Sequence, residues 1–212
     1  MNAGLLSRIC FGGLGFVFVW YLLVRLFRHL HPFPIPHFLV YFIDNPLRQA
    51  AQPPQLTIER LGIKPGMRVL EIGPGSGTYT LAAAGAVGPT GSVVTVEIDP
   101  RIAARLERRL EQERVVNVRV VQGDAQQLDL DEASFDALFL ITVMGEIPDQ
   151  AKALREFHRV LKQDGTLGLS ELLVDPDFEP ADRVIGRCRE AGFTLLERSG
   201  NWMHYNLIFR NS

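Results

Sequence analysis

From Leu61 onward, short runs rich in β-branched residues alternate with segments of helical period, and this alternation constrains the fold more than any other feature. The runs are "MRVLEI" (67–72), "GSVVTVEI" (91–98), "VNVRVV" (116–121), "FDALFLI" (135–141) and "GTLGLSELL" (165–173). Strands this apolar must be covered on both faces, which predicts a parallel sheet sandwiched between helices. One such helix is expected at "QAKALREFHRVLK", where Ala153, Leu154, Phe157, Val160 and Leu161 share a face. The last two runs, "FTLLERSG" and "MHYNLIFR", have no helix between them and are expected to pair antiparallel at one side of the sheet. At 212 residues the chain suits one α/β domain better than two.

Within that alternation, "VLEIGPGSGTYT" (69–80) reads as strand, glycine turn and helix start. Gly73, Gly75 and Gly77 leave no Cβ in the way, so a bulky ligand can rest against the turn, and the helix behind it offers free N–H groups. A phosphate is disfavoured. The spacing is G-x-G-x-G with Thr78 next, no Lys-Ser/Thr pair follows, and Glu71 beside the turn would repel a pyrophosphate. That acid suits a cation such as an ammonium or sulfonium.

A second acid, Glu97, ends the second strand 20 residues after Gly77, where this architecture places a ribose-binding carboxylate; Asp99 is the alternative. After the third strand, Asp124 and Ala125 stand where a carboxylate can accept from a purine amine, although Asp124 also suits a helix cap. Acids at three successive strand ends describe a pocket for a nucleoside bearing an amino acid.

Other chemistry is excluded more readily. The net charge of −2 carries no basic patch for nucleic acid, and the mixed-sign "RIAARLERRLEQER" reads as a solvated helix face. Cys10 and Cys188 are too far apart to suggest a disulfide framework or a zinc site, and His29, His31 and His37 lack a metal-ligand partner set. His158 reads as a histidine at the edge of an apolar helix stripe.

The amino-terminal stretch is different in kind. Ile9 to Val24 holds no charged residue, and with Leu26 and Phe27 beyond a snorkelling Arg25 it approaches the roughly 17 residues needed to span a bilayer. No small-residue cleavage site follows, which disfavours a signal peptide. Residues 1–30 are therefore expected to form a hydrophobic anchor helix, with Trp20 and Tyr21 at an interface and Arg25 and Arg28 favouring a cytoplasmic catalytic domain. Residues 31–60 follow as a linker with three prolines between Pro32 and Pro36, then "LVYFIDNPLRQAA", an amphipathic segment suited to the bilayer surface or to capping the domain's open edge. The domain itself is expected over 61–212.

Together these residues resemble a class I S-adenosylmethionine-dependent methyltransferase. "VLEIGPGSGTYT" is similar to the family's first motif, "VVTVEID" to its ribose-binding acid, and "GDAQQLDLDEASFDALFL" to its adenine segment and fourth strand. "LREFHRVLKQDGTLGLSE" resembles the "RVLKPGG" helix and fifth strand of the ubiquinone/menaquinone-biosynthesis type, with Gln163-Asp164 in place of Pro-Gly, a change confined to a turn. The resemblance implies a Rossmann-like seven-stranded sheet of order 3-2-1-4-5-7-6 with an antiparallel last strand, and S-adenosyl-L-methionine as cofactor. It places Glu71, Gly73, Gly75 and Gly77 on the methionine portion, Glu97 on the ribose, Ile98 against one adenine face, and Asp124 with Ala125 on the adenine. Ile141 to Val143 would lie under the sulfonium.

Methyl transfer from a sulfonium needs no acid for the leaving group, so positioning and water exclusion can carry much of the catalysis. Glu146, in "TVMGEIPD" after the fourth strand, is the single candidate for a catalytic base or a partner to a cationic acceptor, although it reads more readily as an acid near a helix start. No Asn/Asp-Pro-Pro-Tyr follows the fourth strand, which disfavours amino-methylating DNA and protein-glutamine types. The anchor points instead to a small, lipophilic or membrane-located acceptor. The alternatives are a membrane-tethered protein methyltransferase and a cofactor-binding module without catalysis.

Overall fold

The computed structural model describes residues 46–212. The expected anchor at 1–30 and the proline-rich part of the linker lie outside the described residues. Among those described, no helix is long and apolar enough to cross a membrane.

Five strands run parallel in alternation with helices: β1 (Arg68–Ile72), β2 (Ser92–Glu97), β3 (Val118–Gln122), β4 (Phe135–Ile141) and β5 (Leu161–Leu172). Preceding or separating them are α1 (Pro46–Ala51), α2 (Pro54–Arg60), α3 (Thr78–Val87), α4 (Pro100–Gln112) and α5 (Gln150–Val160). The chain ends with α6 (Ala181–Glu190), β6 (Phe193–Gly200) and β7 (His204–Asn211). β7 pairs antiparallel with both β5 and β6, so the sheet order is β3-β2-β1-β4-β5-β7-β6, as the family resemblance implied. Strand order reverses between β1 and β4, which puts the ligand crevice at the carboxyl ends of the central strands.

Alternation within the strands feeds two cores. Val69, Val93, Ala137, Phe139 and Ile141 pack with Ile58, Leu61 and the alanines of α3 on one face. Leu70, Ile72, Val94, Val96, Leu138 and Leu140 face the opposite way and pack with Leu154 and Phe157 of α5 and Val184 and Ile185 of α6. Cys188 lies in this second core, where burial pushes its thiol up to about 12 and leaves it a packing group.

Two local details differ from expectation. The helix read through 162 stops at Val160, and Leu161 opens β5, paired with Phe135 and buried. The next ladder pair is Ala137 with Thr166, so residues 162–165 bulge out of register. The Gln163-Asp164 pair thus lies in a strand irregularity, where Asp164 takes a φ of +63°, a conformation that Asp tolerates better than most side chains. Further upstream, Ile58 and Thr57 of α2 are buried, so part of the segment read as linker packs onto the sheet.

Gly77 caps α3 at a φ of +88°, and a Cβ there would sit 2.3 Å from Leu106 Cδ1 of α4. Gly77→Ala is expected to cost about 1 to 3 kcal/mol of stability through this overlap, read as a lowered midpoint in urea unfolding. An unchanged midpoint would show that α4 yields freely.

Candidate cofactor and acceptor site

A cavity of about 200 Å³ opens at the carboxyl ends of β1, β2, β3 and β4. Its lining brings together Glu71, Gly73 and Gly75 from the end of β1 and its turn, Glu97 and Ile98 from the end of β2, Asp124 and Ala125 from the loop after β3, and Ile141 and Glu146 at and beyond the end of β4. These residues are scattered over 76 positions of sequence, and parallel strand order gathers them. Gly77 is the one residue of the expected set that does not line the cavity.

Glu71 is 2% exposed, and Thr80 of α3 donates its hydroxyl to Oε2 at 2.6 Å. Burial pushes its carboxyl up to about 8, the Thr80 hydrogen bond opposes the rise, and the nearby Glu97 adds to it. A carboxyl with this much desolvation and no cation at hand among the described residues is poised to ionise when a cationic group enters.

Glu97 is also raised, first by burial, against which the backbone N–H groups of Asp99, Gly75 and Ile98 act as donors to its carboxylate. The Asp99 N–H reaches Oε1 at 3.0 Å. The Gly75 contact ties the glycine turn to β2, a link between two motif positions that spacing alone does not reveal. Asp99 itself caps α4, accepting from Arg101 N–H at 2.7 Å, so Glu97 is the acid presented to the cavity and Asp99 serves the helix.

Asp124 lines the cavity and closes a turn rather than capping a helix. It accepts from the Gln126 N–H at 2.8 Å, which closes its own turn, and from Gln126 Nε2 at 3.1 Å on both oxygens while lining the cavity. Gln126 Oε1 in turn accepts from Asp149 N–H at 3.0 Å, which fixes the loop to the start of α5. Ile98 is 45% exposed at the cavity, an apolar side chain left open to a ring.

Beyond β4 the cavity changes character. Thr142 takes a φ of +53°, which is strained for a β-branched residue, and its N–H donates to Ser170 O at 2.8 Å. Arg48 of α1 donates through Nη2 to Thr142 Oγ1 and lines the cavity with it. Gln52, directly after α1, donates to Ser170 Oγ at 3.0 Å, and Tyr79 of α3 donates its hydroxyl to the Gln52 carbonyl at 3.1 Å. The described part of the amphipathic segment therefore caps the edge of the sheet. Glu146 lies in a 3₁₀ turn (Met144–Glu146) ahead of α5, whose cap is Asp149. Behind this end, Glu171 of β5 is buried with Oε1 lacking a hydrogen-bond partner among the described residues; burial and then the nearby Asp175 and Glu179 hold its carboxyl well above the usual range.

Residues 70–169 match a family described as a methyltransferase domain. The chain is 38% identical over 114 residues, 53% of its own length and 44% of the other's, to the ubiquinone/menaquinone biosynthesis C-methyltransferase UbiE of Ectopseudomonas mendocina. It is 30% identical over 139 residues, 65% of this chain and 55% of that protein, to a demethylmenaquinone methyltransferase of Lactobacillus johnsonii. Residues 70–169 are thus those of a methyltransferase domain. The chain spans about half the length of the curated relatives it matches. A crystal structure of a SAM-dependent methyltransferase from Aquifex aeolicus superposes on the fold with a TM-score of 0.79 at 19% identity, covering 84% of this chain and all of that one. The [4+2]-cyclase SpnF shares the fold as well, with a TM-score of 0.68, 19% identity, and coverage of 77% of this chain and 81% of that one. At such identities these likenesses speak to architecture, and the reaction must be argued from the site.

Around the cavity, motif reading missed Arg48 and Tyr79, which line it, and Gln52 and Ser170, which hold α1 beside it. Glu97→Ala is expected to weaken binding of S-adenosylhomocysteine by about 1 to 3 kcal/mol, the range for hydrogen bonds to a charged group, as measured by calorimetry. Unchanged affinity would reduce Glu97 to a brace for the glycine turn.

Proposed function

We propose that the protein is an S-adenosylmethionine-dependent C-methyltransferase whose acceptor is a small, lipophilic ring of the quinol class, reached at a membrane. The observation that carries the cofactor part is the meeting of Glu71, Glu97 and Asp124 in one cavity at three successive strand ends. This donor set fits the group chemically. A buried carboxyl without a cation suits an ammonium, a carboxylate aligned by backbone N–H groups suits a diol, and a turn-end carboxylate beside open Ile98 suits a purine. The acceptor part is supported by the names of the relatives and by the uncharged stretch Ile9 to Val24, which would hold the domain where a lipophilic acceptor concentrates.

When bound, the cofactor supplies an electrophilic methyl group on sulfur, already activated for displacement. The chain's own residues then have three tasks. Glu71, Glu97 and Asp124 bind and orient. Ile141, Thr142 and Val143 form the wall at the end of β4, and the α1 cap held by Gln52, Ser170 and Tyr79 excludes water. A ring carbon becomes nucleophilic when a ring hydroxyl ionises, and Arg48 with Thr142 offers the donors at this end that favour the ionised oxygen. After transfer the ring carbon carries one proton too many, and Glu146 is the cavity carboxylate placed to take it.

The test is a short-chain demethylmenaquinol incubated with the full-length protein and S-adenosylmethionine, with the product examined by mass spectrometry and NMR. A methyl group on a ring carbon is expected; a methyl group on oxygen, or none, overturns the proposal. Glu146→Gln is expected to lower kcat by about 100-fold while leaving S-adenosylhomocysteine affinity unchanged. An unchanged kcat would remove Glu146 from the reaction.

A further inference from the structure

The turn joining β6 to β7 carries apolar side chains that neither core uses. Trp202 is 71% exposed and Met203 45%, and Val174, on the segment after β5, is 71% exposed. The Leu173 N–H donates to Met203 O at 2.6 Å, so Val174 follows directly from a residue bonded to the tip. Large apolar side chains grouped in this way on a surface mark a contact.

The turn is also locked. Asn201 Oδ1 accepts from the N–H groups of Met203 at 2.8 Å and His204 at 3.1 Å, and the Asn201 N–H donates to His204 O at 2.7 Å. Gly200 has a φ of +92°, and a Cβ there would meet His204 O at 2.2 Å. A loose tip could fold its tryptophan back onto the domain, whereas this one holds it outward.

Position decides what the tip meets. β7 begins with His204 opposite Leu172, the last residue of β5, so the tip stands at the carboxyl edge of the sheet, the edge on which the cavity opens. The chain enters the domain at the same edge. Gln52 donates to Ser170 Oγ, which lies 3.5 Å from His204 Nε2, so the end of α1 and the base of the tip share one polar bridge. Forty-five residues precede α1, among them the uncharged run Ile9 to Val24.

We propose that Trp202, Met203 and Val174 dock on a lipid bilayer, giving the domain a membrane contact of its own beside its amino-terminal segment and turning the cavity edge toward the lipid. Indole and thioether side chains at a rigid tip insert at the headgroup–acyl boundary. Stable attachment generally takes two such signals, and the amino-terminal segment supplies the other. The purpose of the contact, delivery of a lipophilic acceptor, rests on the function proposed above; the contact itself does not.

The test uses full-length protein carrying Trp20→Phe, in which Trp202 is the remaining tryptophan, bound to phosphatidylethanolamine–phosphatidylglycerol vesicles with brominated acyl chains. Trp202 emission is expected to fall by about half relative to unbrominated vesicles, as for an indole at the acyl boundary. Emission that is unquenched overturns the proposal, whether it remains that of an exposed indole or is blue-shifted because residues 1–45 or a second copy cover the tip. In a second arm, the double variant Trp202→Ser, Met203→Ser is expected to raise KM for a long-chain quinol in vesicles by roughly tenfold, the loss from withdrawing apolar side chains from lipid. S-adenosylhomocysteine affinity and turnover of a water-soluble short-chain quinol should stay unchanged; equal loss on both quinols would overturn the proposal. If the native protein methylates neither quinol, the function proposal fails while the quenching arm still decides the contact.

Discussion

Gly75→Val is expected to abolish S-adenosylhomocysteine binding while leaving the protein folded. Gly75 lines the cavity at a φ of +55°, and its N–H donates to the Glu97 carboxylate. A valine there is strained by its backbone conformation and adds three carbons at a surface that must lie against the ligand. It also disturbs the N–H that fixes Glu97, so one substitution damages the turn and the diol-binding carboxylate together. Affinity should fall by about 100-fold or more, the effect of overpacking a closed contact by about 3 kcal/mol. Calorimetry measures the loss and a thermal melt controls for folding. Gly75→Ala separates the effects further, because it keeps the backbone strain with the smallest side chain and should weaken binding less. Normal affinity in the valine variant would mean that the ligand does not lie on this turn.

The second large effect is a proton released on binding. Glu71 carries its proton in the ligand-free protein below about 8, and an ammonium entering beside it favours the carboxylate. Between pH 6 and 8 the affinity for S-adenosylhomocysteine should therefore rise with pH, by up to roughly tenfold per pH unit, and level off above pH 8. Titrations in two buffers of different ionisation enthalpy count the proton, and Glu71→Gln should remove both the slope and the count. The same group makes an opposite contribution to folding. Its folded pKa lies above the unfolded value of 4.5, so its contribution to stability is fully present below 4.5 and is lost as pH rises through 8. Ligand affinity thus rises over the range in which the empty protein's stability falls. A pH-independent affinity would place the cationic group elsewhere.

What the sequence made legible was whatever depends on local pattern. β-Branched runs located the strands, and three acids at three strand ends marked the cavity, because a parallel sheet brings consecutive carboxyl ends to one edge. The end of α5 escaped that pattern. Leu161 fits the helix's apolar face as well as a buried strand position, and only pairing with Phe135 decides between them. Gly77 followed the motif's spacing, yet the fold uses it to let α4 approach α3, a contact with Leu106 that lies 29 positions away. Beyond β4 the sequence pointed to Ile141 to Val143 and to Glu146, but not to the long-range contacts around them. Arg48 meets Thr142 across 94 positions and Gln52 meets Ser170 across 118, and neither pair has a short-range signature. Trp202 drew no attention in sequence, where a lone tryptophan between strands is ordinary; its exposure on a locked turn is what gives it meaning.

The central claim is that the cavity serves methyl transfer to a lipophilic acceptor. It is tested most directly by incubating the full-length protein with methyl-labelled S-adenosylmethionine and a membrane extract, then partitioning the products between organic solvent and water, with Gly75→Val as control. Label in the organic phase that disappears in the variant is the expected result. Label confined to protein or to the aqueous phase would contradict it.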